Sequence, residues 1–167
     1  MQSLVCGFTV GRGILLLNIA VRADGSIPSD QFEVMEEFGA WLKGNREAIY
    51  DTQPWKKYGE GGTTAGGHFN ERGVNSEPWD HHVLRFTCNK AQTALYVHTF
   101  GNPAGKEIVV NSLSANSGLF SGKIKKVSLI GSNASVQWSM KNDGLHINMP
   151  VKLPFKDCNV LKINVLP

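Results

Sequence analysis

The sequence predicts a mainly β protein: an antiparallel β-sandwich of about seven or eight strands, preceded by one strand-loop-helix unit. Three observations predict it. Short runs rich in β-forming residues succeed one another from residue 83 onward, separated by turn signals. Two of them, around 145–149 and 160–165, alternate apolar and polar residues with the period of a half-buried strand. Ahead of them, residues 1–55 have a different texture, with one apolar run and one helical stripe. The 167 residues are 41% hydrophobic and 19% charged, which suffices for a buried core and argues against wholesale disorder.

Taken in order, Leu15-Leu16-Leu17-Asn18-Ile19 is apolar on both faces, as a strand buried on both sides of a parallel sheet would be. Arg22-Ala23-Asp24-Gly25-Ser26 reads as a tight turn, with Asp-Gly supplying the backbone freedom. Pro28 suits a first helical turn, and the acidic stretch 30–37 suits the positive end of a helix dipole. Phe32, Met35, Phe38 and Leu42 recur at helical spacing, and Val34 and Trp41 widen the stripe, so the helix is expected to bury more than one side. Gly44-Asn45 ends it. Residues 56–80 read as a glycine-rich connecting loop. Strands are expected at 83–87, 93–99, 107–111, 124–130, 136–140, 145–149 and 159–165, with Asn142-Asp143-Gly144 as a hairpin turn. Residues 81–167 therefore form the sandwich domain.

Several function classes are excluded. The net charge of +3 is small and scattered, which is not a nucleic-acid footprint. The apolar run 14–17 is far short of the roughly 20 residues that span a membrane. Residues 1–6 lack the basic and apolar regions of a signal peptide. Cys6, Cys88 and Cys158 are odd in number and lack the Cys-x-x-Cys spacing, so they fit neither a disulfide framework nor a zinc site. No phosphate-cradling glycine pattern occurs, and no cofactor is implied.

Candidate chemistry is sparse. His81 and His82 resemble a metal half-site, but neighbours in a strand point to opposite faces, and no third ligand stands at a recognisable spacing; no metal is expected. His68, His98 and His146 read as single hydrogen-bonded structural residues. No Gly-x-Ser-x-Gly elbow is present, and no pair of carboxylates is picked out as acid and base. The run Lys123-Ile124-Lys125-Lys126 suits an edge strand, where lysine discourages pairing with other chains. Trp79, Trp138, Phe69 and Tyr96 are aromatic candidates for stacking on a sugar, and Trp79 is the one expected to be exposed.

The strings Gly13-Ile14-Leu15-Leu16-Leu17-Asn18-Ile19 and Arg22-Ala23-Asp24-Gly25-Ser26-Ile27-Pro28 resemble the last barrel segment of the α-L-fucosidases of glycoside hydrolase family 29. Gly39-Ala40-Trp41-Leu42-Lys43-Gly44-Asn45-Arg46-Glu47-Ala48-Ile49-Tyr50, followed by Thr52-Gln53-Pro54-Trp55, is similar to the ending of that family's helix. Leu84-Arg85-Phe86-Thr87, Gly122-Lys123-Ile124 and Asp143-Gly144-Leu145 are similar to the C-terminal sandwich of its bacterial members. Ile14 stands where the family usually has Asn, and Arg46 where it has Gly.

The resemblance implies that residues 1–55 are the terminal β-α unit of a truncated (β/α)8 barrel and that the sandwich is the C-terminal domain. It implies a retaining exo-hydrolase that releases L-fucose from glycans, and a fucosylated glycan as partner. A whole barrel takes about 250 residues, and the family's carboxylates belong to earlier strands. No catalytic residue is therefore assigned here, and the chain is expected to be inactive alone. Asn18 and Arg22 would lie at the barrel mouth, close to substrate. The 14–19 strand would pair with a barrel portion or with a second copy, and pairing with a partner chain would restore an active fucosidase. A non-catalytic carbohydrate-binding or interaction module is the alternative. Relatives are mostly exported or lysosomal, which sets no compartment for this chain.

Overall fold

Eight strands form two antiparallel sheets in a computed structural model that describes residues 16–61 and 80–166. Two helices come first, α1 (Ser29–Gly44) and α2 (Arg46–Ile49). The strands are β1 (Thr52–Glu60), β2 (Leu84–Asn89), β3 (Ala94–Phe100), β4 (Glu107–Val110), β5 (Lys123–Leu129), β6 (Gln137–Lys141), β7 (Gly144–Asn148) and β8 (Cys158–Leu166). The larger sheet has the order β1-β2-β3-β8-β5 and the smaller has β4-β7-β6. All seven strands expected after residue 83 are present, each within a residue or two of its expected bounds.

Strand alternation decides what lies on each face of the larger sheet. Leu95 and Val97 of β3, with Phe86, Val127, Leu161 and Ile163, pack against Ile108, Leu145 and Ile147 of the smaller sheet. Tyr96 and Phe100, with Val160 and Cys158, face the other way and meet Trp41 and Ala48 of the helices. Hence β3 is buried along its whole length, and the molecule has three layers: helices, five-stranded sheet, three-stranded sheet.

The helical layer is held by a few specific contacts. Trp41 is the only fully buried side chain of α1, and its Nε1–H donates to the Cys158 carbonyl at 2.8 Å. Asn45 closes α1 by donating both its backbone N–H and its side-chain Nδ2–H to the Trp41 carbonyl. Glu47 of α2 pairs with Lys162 of β8 and accepts the Tyr96 hydroxyl of β3. Helix bounds therefore agree with the Pro28 and Gly44-Asn45 signals.

The sequence reading needs three corrections. Residues 16–20 form no strand and Leu16 is 91% exposed, while positions 14 and 15 of the expected strand lie outside the described residues. A strand needs a neighbour to take its backbone hydrogen bonds, and among the described residues no strand pairs with this segment. Helix α1 buries one side only: Phe32 and Val34 stay exposed, because the sheet reaches just its Phe38–Trp41–Leu42 side. Lys56–Glu60, expected as loop, belong to β1. This strand is an edge, paired only with β2, and a bulge separates Pro54 from Gly59. Edges tolerate proline and lysine, so the residues that looked like loop are edge-strand residues. Trp55 fixes its register by packing edge-on against Phe86, with ring centroids 5.6 Å apart. A Cβ at Gly59 would stand 2.3 Å from the Leu84 carbonyl oxygen, so only glycine fits.

Candidate functional site

Asn18 and Arg22 lie on the N-terminal segment, and both are exposed. The Ala20 N–H donates to Gln31 Oε1 and so ties the segment to α1. Arg22 opens the expected turn: its N–H donates to the Ser26 carbonyl at 2.8 Å and its carbonyl accepts the Gly25 N–H at 2.9 Å. Asp24 accepts both the Ser26 backbone N–H and the Ser26 hydroxyl, which hold its carboxyl below the ordinary value. Trp79, His68 and Phe69 lie outside the described residues. Trp138 packs against the sandwich core and Tyr96 is buried under α2, so neither offers an open stacking face.

The histidines occupy three different environments. His98 is fully buried on the helix side of β3, and its Nε2 meets the Thr87 hydroxyl at 3.1 Å. That hydroxyl donates to the Ala48 carbonyl, so it accepts from His98 and fixes the proton on Nε2. Burial pushes this imidazole down to about 4, so it is neutral at physiological pH.

His146 stands on the outer face of the smaller sheet, opposite Ser139 of β6 and Val109 of β4. Its Nε2 meets Asp143 Oδ1 at 2.9 Å and its Nδ1 meets Glu107 Oε1 at 3.1 Å. Lys141 Nζ lies 3.1 Å from the same Nδ1 and 3.6 Å from Glu107. Hydrogen bonding to Asp143, and then to Glu107, raises the imidazole above its ordinary value. The two carboxyls are held down, chiefly by His146 itself. Although Ser139, His146 and Asp143 are neighbours, both ring nitrogens already face carboxylates, so none is left to activate a serine. Nor does either carboxyl have the raised pKa of a glycosidase acid. The group is an ion cluster, not an acid-base pair.

His81 and His82 do not point to opposite faces. They sit in a turn ahead of β2, with ring centroids 3.9 Å apart. A shallow depression of about 470 Å³ lies elsewhere, between Asn102 and the 151–157 loop, and includes Val151, Leu153 and Phe155. It holds Lys156 and Asp157 as its only charged groups, which supplies no carboxylate pair. Cys88 and Cys158 are buried free thiols; Cys6 lies outside the described residues.

Sequence reasoning missed the His146 cluster. The Asn142-Asp143-Gly144 turn signalled that Asp143 and His146 would be close, but Glu107 arrives on a strand with no local link to them.

The profile of the alpha-L-fucosidase C-terminal domain matches residues 79–164, more than half of the chain. The chain belongs to the alpha-L-fucosidase C-terminal domain family. Members of known structure agree: the Thermotoga maritima alpha-fucosidase, crystallised with a mechanism-based inhibitor, superimposes with a TM-score of 0.68 and 26% identity. That match covers 98% of this chain and 34% of the Thermotoga enzyme. Rat plasma alpha-L-fucosidase is 41% identical over 56 residues, covering 34% of this chain and 11% of the relative. Human plasma alpha-L-fucosidase is 24% identical over 151 residues, covering 90% of this chain and 26% of the relative. The chain thus spans about a quarter or less of these plasma fucosidases.

Proposed function

We propose that this chain works as the C-terminal part of a retaining α-L-fucosidase that releases L-fucose from glycans, and that it turns over no substrate by itself. In this reading residues 1–55 are the last unit of a barrel whose remainder lies outside these residues, and Asn18 and Arg22 sit at the mouth of the completed site; the alternative is that a partner chain supplies that remainder. Residues 81–167 are the sandwich that holds that unit in place. Retaining hydrolysis needs two carboxyls about 5 Å apart, one of them kept protonated. Glu107 and Asp143 do not qualify, since both are held in the ionised direction.

The observation that carries the reading is the asymmetry of the N-terminal unit. Trp41 locks one side of α1 to the five-stranded sheet, while the opposite apolar groups are uncovered. Leu16 is 91%, Val21 61% and Phe32 49% exposed. Apolar side chains left exposed on a helix and on the segment before it suit a surface that another element covers.

The test is release of p-nitrophenol from its α-L-fucoside. The purified chain should give no turnover that follows the protein peak, and co-expression with the barrel portion of a fucosidase should give a complex that hydrolyses the fucoside. Turnover by the pure chain overturns its inactivity alone. A stable complex that stays inactive overturns the complementation.

A further inference from the structure

Asp80, His81 and His82, at the approach to β2, are used neither by the fold's core nor by the proposed function. Each offers one ligand atom, and these atoms lie within 4.8 Å of one another. The two imidazole rings are 3.9 Å apart at their centroids, so both nitrogen donors face one region of space.

The backbone beneath them is fixed. The His82 N–H donates to Asp80 Oδ1 at 2.9 Å, and the Val83 N–H donates to the Asp80 carbonyl at 3.1 Å. The end of β1 presses on the same turn: a Cβ at Gly61, where φ is +66°, would stand 2.1 Å from the His82 carbonyl oxygen. A carboxylate has two oxygens, so the bond inside the turn leaves Asp80 one oxygen to ligate.

We propose that Asp80, His81 and His82 bind a divalent cation of the zinc class, through two imidazole nitrogens and one carboxylate oxygen. Solvent completes the coordination. Mixed imidazole and carboxylate donors suit zinc, and calcium and magnesium prefer oxygen-only shells. A tetrahedron with bonds of about 2.0–2.1 Å puts its ligand atoms about 3.4 Å apart. The three donors must therefore draw in by about an ångström, a movement exposed side chains make by small rotations.

Lys106, just ahead of β4, tunes this site. Its Nζ lies 3.5 Å from His81 Nδ1. Its ammonium stands against the His81 ring, so a positive charge lies beside the ligand set. The same ammonium repels a bound cation, so removing it strengthens binding.

The experiment is calorimetric titration of the 167-residue chain with Zn²⁺ alone, alongside the absorption spectrum with Co²⁺ as a stand-in. The expected result is one saturable site with a tetrahedral cobalt spectrum and a higher melting temperature in zinc. His81→Ala and His82→Ala should each weaken it more than about ten-fold with unchanged circular dichroism. Lys106→Gln should tighten it several-fold, and His146→Asn should leave it unmoved. No saturable binding below about 1 mM overturns the proposal. So does wild-type affinity in the His81→Ala, His82→Ala double variant, or weaker binding in Lys106→Gln.

Discussion

One face of the five-stranded sheet meets another sheet and the other face meets a helix, and the two contacts are built from different chemistry. On the sandwich side the large core cluster is apolar, with Phe86, Val97, Leu161 and Ile163 opposite Ile108, Leu145 and Ile147. Such a contact is strong and non-directional, so it tolerates small shifts between the sheets. On the helix side, directional bonds are interleaved with the apolar groups. Trp41 donates to Cys158, Thr87 to Ala48, and His98 to Thr87. Asn45 Oδ1 and His98 Nδ1 are buried there without a hydrogen-bond partner. The sandwich face supplies stability, whereas the helix face spends some of it to fix how α1 is seated.

Two large-to-small substitutions should separate these roles. Phe86→Ala and Trp41→Ala each remove a fully buried aromatic, a loss of about 3–5 kcal/mol. Phe86→Ala should lower the urea midpoint of the whole molecule. Trp41→Ala should expose the amides of α1 to hydrogen exchange while those of β3 and β8 stay protected. Equal loss of protection in both places would mean that helix and sandwich form one cooperative unit.

Acid should attack the helix face first. The His98 imidazole is at about 4 when folded and about 6.5 when unfolded, so the unfolded chain binds the extra proton between those values. The contribution is intact above pH 6.5 and is lost as pH falls towards 4, a total of about 3 kcal/mol. Chemical denaturation at pH 7 and pH 4.5, on wild type and His98→Leu, measures it; the variant should show the shallower decline.

The outer face of the smaller sheet should respond with the opposite sign. The His146 pKa is raised in the folded chain by Asp143 and Glu107, so its contribution is full below the unfolded value and fades as pH rises through the folded one. A proton on Nδ1 donates to Glu107; without it, the nitrogen can accept from Lys141 instead. Melting curves at pH 5.5 and 8.5 should show a smaller difference for His146→Asn than for wild type, and proton resonances of the ring should titrate above 6.5. The effect is smaller than that of His98, because the partners of His146 are exposed to solvent.

The smallest effect on stability is expected from Leu16→Ser with Val21→Ser, whose side chains touch little. Sedimentation should nevertheless show less self-association than wild type, if that uncovered side is the surface that seeks a partner.

Much of this architecture was legible because alternation and turn chemistry are local. The β6–β7 hairpin follows from Asn142-Asp143-Gly144, and α1 from its Pro28 and Asn45 boundaries. What was not legible depends on who the neighbours are. Lys56 and Lys57 read as loop because an edge strand needs only one partner, and that partner, β2, begins at Leu84. The stripe on α1 read as buried on two sides, since nothing local says that only one sheet will meet it. The candidate sites were less legible still. Glu107 finds His146 through strand pairing, and the His81–His82 geometry depended on whether those residues were in a strand or a turn.

Strand β8 lies between β3 and β5, although both of those precede it in the chain. Until residues 158–166 have been made, β1, β2 and β3 on one side and β5 on the other lack the strand that joins them. Synthesis of the earlier strands therefore cannot carry folding to completion. The five-stranded sheet can close only once β8 enters a slot whose two walls have already been translated.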